Sequence, residues 1–378
     1  MSVFGKLKII KTKQTQTLLL FLQNLKPHFN PNDSTQQLND FCVAPEISLE
    51  RKKSRSFIYS GITFILGVLI TFFALNVKHL QEPNNSTAQQ TYAINRIQGY
   101  KYIKPILVVE PLTESIKLKG LKATLVNLID SLKSVGYADD VTVYFRGFRH
   151  GGWISINPEK TYHPASLMKV ALMLCYLREA EAIPHMLEQK FLFEKPSNVE
   201  INAQYYPTKG IEPGKSYTIH ELLFYMIANS DNNATFLLAS HFDPNKLKKL
   251  FRDFGMPEPI MDETKFTISA KQYSYFFSAI FNSSILSPEY SEYAAELLSK
   301  STFQEGFGKG FPPGTEMWHK FGEWRNAGQP YELHEAGVFY WHGIPLMLTV
   351  MTKGNDTEKL AATIRAIADR TYKNIPQP

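Results

Sequence analysis

Three short polar clusters, in a fixed order along the chain, limit its possible folds more than any other feature. Ser166 and Lys169 stand three apart in "HPASLMKVALMLC" (163–175), where an apolar helical run begins. "SDN" at 230–232 falls at a break between two helical patterns. The first, "YTIHELLFYMIAN", opens on a capping box of Thr218 and Glu221, and the second is "NATFLLASHF". "KFG" at 320–322 lies in a strand-like segment near the C-terminus. A Ser-x-x-Lys pair alone says little, because Ser favours helix starts and a chain of this length holds roughly one or two such pairs by chance. Ser-Asp-Asn is rarer, at about 0.06 chance occurrences. The spacings are 64 residues from Ser166 to Ser230 and 90 from Ser230 to Lys320.

The chemistry available to such residues is specific. At i and i+3 on a helix, Ser166 and Lys169 share one face, so the amine reaches the hydroxyl. A serine attacks a carbonyl poorly until a base takes its proton. A lysine serves as that base only when neutral, which calls for burial and nearby positive charge. Lys320 is the expected source of that charge.

With these motifs in this order, residues from about 105 to 375 resemble the class A β-lactamase and D,D-peptidase superfamily. "YTIHELLFYMIANSDNNATFLLA" is similar to the family's helix–motif–helix throughout, and "GFPPGTEMWHKFG" to its approach to the K-x-G strand. The resemblance implies Ser166 as nucleophile, Lys169 as base, and Ser230 as a bridge from Lys320 that relays the proton to the leaving group. It places Asn232 on the substrate amide and against Lys169, with Asp231 bracing the turn. The implied oxyanion hole is the backbone N–H of Ser166 and that of Glu323, just after Gly322. His334 and Glu335, on the neighbouring strand, are candidates to face the substrate. His163 reads as a loop residue, and Trp318, Trp324 and Trp341 as packing or cleft wall.

Two departures from the family pattern stand out. The middle of K-x-G is usually Thr or Ser, whose hydroxyl helps to hold a substrate carboxylate; here it is Phe321, leaving Arg325 or His334 to substitute. Class A β-lactamases also carry a glutamate followed three residues later by an asparagine, which activates the deacylating water. In "FRDFGMPEPIMDETKFTISA" that loop looks shortened, and neither Glu258 nor Glu263 has the asparagine. Asp262 and Glu263 are positional candidates only.

The remainder of the chain bears on location. Residues 57–77, "FIYSGITFILGVLITFFALNV", are 21 in a row without a charge, enough for a helix of roughly 30 Å. "RKKSR" precedes them and Lys78 is the only Lys or Arg in the next 15 residues, which predicts a cytoplasmic N-terminus. The long preceding tail and the lack of a small-x-small site argue for a permanent anchor rather than a cleaved leader. Residues 1–56 carry nine Lys or Arg against four acids; the rest, 32 against 31, is close to neutral and gives no nucleic-acid surface. Cys42 and Cys175 fall on opposite sides of the membrane on this topology and cannot pair, and no Cys or His spacing predicts a metal site. No cofactor is expected.

The expected organisation is a mostly disordered cytoplasmic tail (1–56), a transmembrane helix (57–77), an extracytoplasmic linker (78–104) and a hydrolase domain (105–378). Within the domain, "PILVVE" reads as a strand, 113–135 as a helix ending at Gly136, and "VTVYFRGF" with "WISINP" as a hairpin. A mostly helical stretch runs from 166 to about 300; three strands and a helix over 356–372 follow. The fold expected is α+β, with one antiparallel sheet from both ends of the domain and a helical lobe inserted. The expected function is D,D-peptidase-like hydrolysis of peptidoglycan stem peptides through an acyl-serine. The alternatives are a tethered class A-like β-lactamase and a catalytically silent binding homologue.

Overall fold

The computed structural model describes residues 91–196, 204–205, 209–260, 265–326 and 328–376, together with Gly67, Val68 and Thr71. The expected tail and nearly all of the expected spanning segment therefore lie outside the described residues, among which no helix is long and apolar enough to cross a membrane. The chain divides into two units, Met1–Asn85 and Ser86–Pro378, and the fold below is that of the second.

Strands β1 (Tyr92–Arg96) and β2 (Ile106–Pro111) form an antiparallel pair. β1 lies within the stretch expected to be linker; half of its face is exposed, so its sequence carries little apolar alternation. Helix α1 (Lys119–Ser134) follows a 3-10 turn at Ile116–Leu118. It ends where Gly136 adopts φ 73° and the N–H groups of Gly136 and Tyr137 return to Lys133 and Leu132. This double bond and a left-handed residue make a Schellman ending, which glycine enters without strain. Then come β3 (Asp140–Gly147), β4 (Trp153–Ile156), a 3-10 turn at Ala165–Leu167 and α2 (Met168–Ala180).

The stretch expected to be helical contains a hairpin, β5 (Lys190–Phe193) with β6 (Lys215–Thr218). Helices α3 (Ile219–Ala228), α4 (Asn232–Ser240), α5 (Pro244–Asp253), α6 (Ala270–Phe281) and α7 (Pro288–Ser299) complete the lobe. A single helical turn, α8 (Phe307–Gly310), leads to β7 (Met317–Trp324), β8 (Tyr331–Trp341), β9 (Ile344–Gly354) and α9 (Thr357–Asn374).

The main sheet has the order β4-β3-β9-β8-β7, and β3 pairs antiparallel with β9 from Asp140↔Lys353 to Gly147↔Leu346. Strands from both ends of the domain thus share one sheet, with the helical lobe between them in sequence. Alternation divides its two faces. Val141, Val143 and Phe145 of β3 and Leu348 and Val350 of β9 pack on α1 and α9. Tyr144, Met347 and Met351 face the larger helical core, which includes most of α2. Within that core Cys175 is a buried free thiol, its pKa pushed up to about 12 by burial. The strand bearing Lys320 is an edge of the sheet, and the turn bearing Ser166 packs against it.

Candidate active site

Ser166 sits, half-buried, in the 3-10 turn that leads into α2. Its neighbour Ala165 has φ 48°, in the left-handed region that non-glycine residues avoid at a cost of about 1–3 kcal/mol. Ser230 has φ 56°, at the break between α3 and α4. Strained backbone just before Ser166 and at Ser230 is what helix-breaking positions with aimed side chains look like.

Gly322 explains how close that turn lies to β7. A Cβ there would stand 2.8 Å from the carbonyl oxygen of Pro164 and 3.0 Å from the amide nitrogen of Leu167. Only a residue without a side chain lets the edge strand and the serine turn meet. Gly322→Ala is expected to cost about 1–3 kcal/mol in denaturant unfolding and to depress acylation of Ser166 far more than a surface Gly→Ala change. Unchanged stability and acylation would show that the contact does not position the serine.

Lys169, the second residue of α2 and one turn beyond Ser166, is buried. Its Nζ lies 2.6 Å from the Ser230 carbonyl oxygen, 2.7 Å from Asn232 Oδ1 and 3.2 Å from Ser230 Oγ. Burial lowers its pKa to about 7, partly opposed by the Asp231 carboxylate. This differs from the expectation that Lys320 supplies the shift. Lys320 is itself fully buried, and its pKa is driven well down by burial first and by Lys169 second. Two buried ammonium groups this close disfavour each other, so the pair titrates as a unit.

Lys320 Nζ donates to Ser230 Oγ at 2.9 Å and to the Phe321 carbonyl at 3.0 Å, and lies 4.4 Å from the centre of the Phe321 ring. Ser230 Oγ therefore joins the two lysines. A neutral Lys169 has two N–H groups, which the Ser230 carbonyl and Asn232 Oδ1 satisfy. Its lone pair is left for a hydroxyl proton.

Asp231 is fully buried and caps α4, accepting from Asn233 N–H at 2.8 Å and Ala234 N–H at 3.4 Å. Its other oxygen accepts from Ile211 N–H at 2.8 Å, tying the loop after residue 209 to the serine break. Glu323 has a buried carboxylate, 2% exposed, that accepts from the N–H groups of Gln204 (2.8 Å) and Tyr205 (3.0 Å). The residue as a whole is only half-buried, so what it exposes is main chain.

Two residues expected to face the substrate do not. His334 is fully buried; its Nδ1 accepts from Thr352 N–H at 3.3 Å, so Nε2 carries the proton and donates to the His163 carbonyl at 3.0 Å. Its ring holds the chain just before Ser166 from behind. Glu335 is equally buried, 2.6 Å from His319 Nδ1 and 2.8 Å from the amide of Phe307. Nor can His334 stand in for the missing Thr or Ser of K-x-G. Phe321 itself is turned into the core, stacked on Phe303 at 4.2 Å. Arg325 lies over the Tyr331 ring at 4.2 Å and near Glu323 at 3.4 Å.

Sequence reasoning missed Glu332. Buried beside the serine turn, it accepts from His163 N–H at 2.8 Å and lies 3.4 Å from His334 Nε2. Burial raises its pKa, but hydrogen bonds from His334 and His163 outweigh this and hold it below the ordinary carboxylate value. The signal was present in "YELHEAG", where polar residues interrupt a strand otherwise destined for the core. Among the tryptophans, Trp324 stacks on His163 at 4.1 Å, while Trp318 packs on Phe277 at 5.4 Å. Glu258 is tied to Arg252 at 2.5 Å on the surface, and Asp262 and Glu263 lie outside the described residues.

Residues 121–375 match the sequence profile of the β-lactamase enzyme family. No curated protein matches the chain. Among solved structures, a β-lactamase from Xanthomonas campestris is similar at 17% identity and a TM-score of 0.57, covering 68% of this chain and 98% of that one. A β-lactamase from Chitinophaga pinensis is similar at 14% identity and TM-score 0.58, covering 68% and 99%. A mutant of PBP-A, solved as an acyl-enzyme complex with penicillin G, is similar at 17% identity and TM-score 0.55, covering 67% and 96%.

Proposed function

The chain belongs to the β-lactamase enzyme family and is a serine hydrolase, and we propose that it is a membrane-anchored, penicillin-binding D,D-peptidase-like enzyme acting on peptidoglycan stem peptides through an acyl-Ser166. The observation that carries this is the buried line Lys169–Ser230–Lys320, hydrogen-bonded at 3.2 and 2.9 Å, next to a half-exposed serine. Neutral Lys169 takes the Ser166 proton as Oγ attacks the amide carbonyl. The N–H groups of Ser166 and Glu323 receive the oxyanion, the second exposed because its side chain is folded away. Asn232 shares its amide between Lys169 and the substrate. The C–N bond breaks as Ser230 Oγ gives its proton to the departing amine and regains one from the lysine pair. Burial and the neighbouring Lys169 both disfavour charge on Lys320, and the Phe321 ring face, the Phe321 carbonyl and the field of Glu335 offset part of that. Water then hydrolyses the ester. The anchor is supported by residues 57–77 and their basic N-terminal flank.

A second reading, a tethered class A-like β-lactamase, is favoured by the family profile itself. The two differ in deacylation, not in acylation. One experiment tests the shared chemistry and its base: intact mass of the protein followed over time after mixing with a penicillin, across pH. An adduct on Ser166 is expected. Its rate of formation should rise about tenfold per pH unit below about 7 and level off above, since Lys169 must be neutral to act and its pKa is about 7. Release of D-alanine from a stem-peptide analogue, blocked by prior acylation, supports the peptidase reading. No adduct at any pH overturns both readings and promotes the silent homologue.

A further inference from the structure

The β1–β2 hairpin is unlike the rest of the surface. Its inner face carries Leu107, Val108 and Ile97 into the core, and its own acid, Glu110, points inward to Tyr144 and Lys271. The outer face and tip do the reverse. Tyr102 is 85% exposed, Ile103 58% and Tyr100 50%, with Ile94 and Ile106 also exposed on the strands below. Arg96, Lys101 and Lys104 are interleaved with them, and residues 91–109 contain no Asp or Glu. Arg96 donates to the Lys104 carbonyl at 2.6 Å, and Lys101 lies 4.8 Å from the Tyr102 ring centre. The charges are therefore presented from the same hairpin as the exposed rings.

Aromatic side chains with a wet end and an apolar body, set among lysines, match the interface of a bilayer rather than a protein groove. The chain supplies the proximity. Only residues 78–91 separate the uncharged run 57–77 from β1, a tether of at most roughly 45–50 Å. We infer that the tip of this hairpin, residues 98–104, docks on the surface of an anionic phospholipid bilayer. It fixes the orientation of the hydrolase domain over the membrane that bears it. The inference rests on the membrane anchor in the reading above.

The test uses the full chain carrying Cys42→Ser and Tyr102→Cys, labelled with an environment-sensitive thiol fluorophore; the same chain without Tyr102→Cys reports any labelling of buried Cys175. It is mixed with vesicles of phosphatidylcholine alone, or of phosphatidylcholine with phosphatidylglycerol, and flotation and quenching by lipid-bound quenchers are read together. Quenching is expected in the anionic vesicles. A single lysine near such a surface is worth about fivefold in association, so Lys101→Glu with Lys104→Glu should reduce the docking equilibrium constant by about 25-fold or more. A chain that floats with both vesicles while its label stays water-like overturns the docking and leaves the anchor standing. Flotation only with anionic vesicles, lost on the two charge reversals, supports the docking and removes the anchor. Quenching independent of both lipid charge and lysines, or a label buried by rising protein concentration without lipid, overturns the inference.

Discussion

Replacing Ser166 by alanine is expected to abolish the penicillin adduct, and replacing Lys169 by alanine to slow its formation by about 10²–10⁴-fold, the usual worth of a general base. The two losses differ in kind. Ser166→Ala removes the atom that forms the bond, so no increase in time or concentration restores it. Lys169→Ala removes the proton acceptor but keeps the nucleophile, so the adduct still forms, slowly. It also removes the donor to the Ser230 carbonyl and to Asn232 Oδ1. That leaves the buried Ser230 carbonyl and the part-buried Asn232 Oδ1 without this donor, so stability should fall along with rate. The change in pH profile separates the causes: the levelling near pH 7 belongs to Lys169 and should vanish with it. An adduct on Ser166→Ala mapped to another residue, or a wild-type pH profile in Lys169→Ala, would dismantle the assignment of nucleophile and base.

The parts of this site legible in the sequence are those set by local pattern. The helix start at Ser166, the capped helix ending at the S-D-N break and the edge strand with K-x-G each announce themselves through a period, a cap or a short motif. The sheet assembled from both termini was legible for the same reason, since each strand shows its own signals. What was hidden depends on which face of an element points where. β8 is buried along almost its whole length, so alternation between polar and apolar no longer separates its faces. His334 and Glu335 thus read as candidates for the substrate, whereas His334 is held by the His163 carbonyl and Thr352 N–H, and Glu335 by His319 and the Phe307 N–H. Burial also decides the pKa of Lys169, and no sequence spacing reports the depth of a side chain. β1 and β5 were missed because each is short and half exposed, leaving too little apolar pattern to distinguish strand from loop.

Once acylated by a β-lactam, Ser166 is expected to be released at roughly 0.1 s⁻¹ or slower, so the acyl-enzyme accumulates and is visible by mass. Acylation and deacylation draw on different groups. The first uses Ser166, Lys169, Ser230 and the main chain at Glu323, placed as described above. The second needs a water held against the ester and a base beside it. The resemblance implies a glutamate base with a nearby asparagine in the stretch that here joins α5 to α6, and no asparagine stands between Phe254 and Ser269. Glu258, one of the acids there, is committed to Arg252 on the surface. Typical enzymes turn over at about 10 s⁻¹, and loss of one positioned general base costs about 10²–10⁴-fold. Burst kinetics with a chromogenic cephalosporin measure the release rate directly. Steady hydrolysis at several per second, lost in Asp262→Asn or Glu263→Gln, would identify that residue as the deacylating base and convert the peptidase reading into the β-lactamase one.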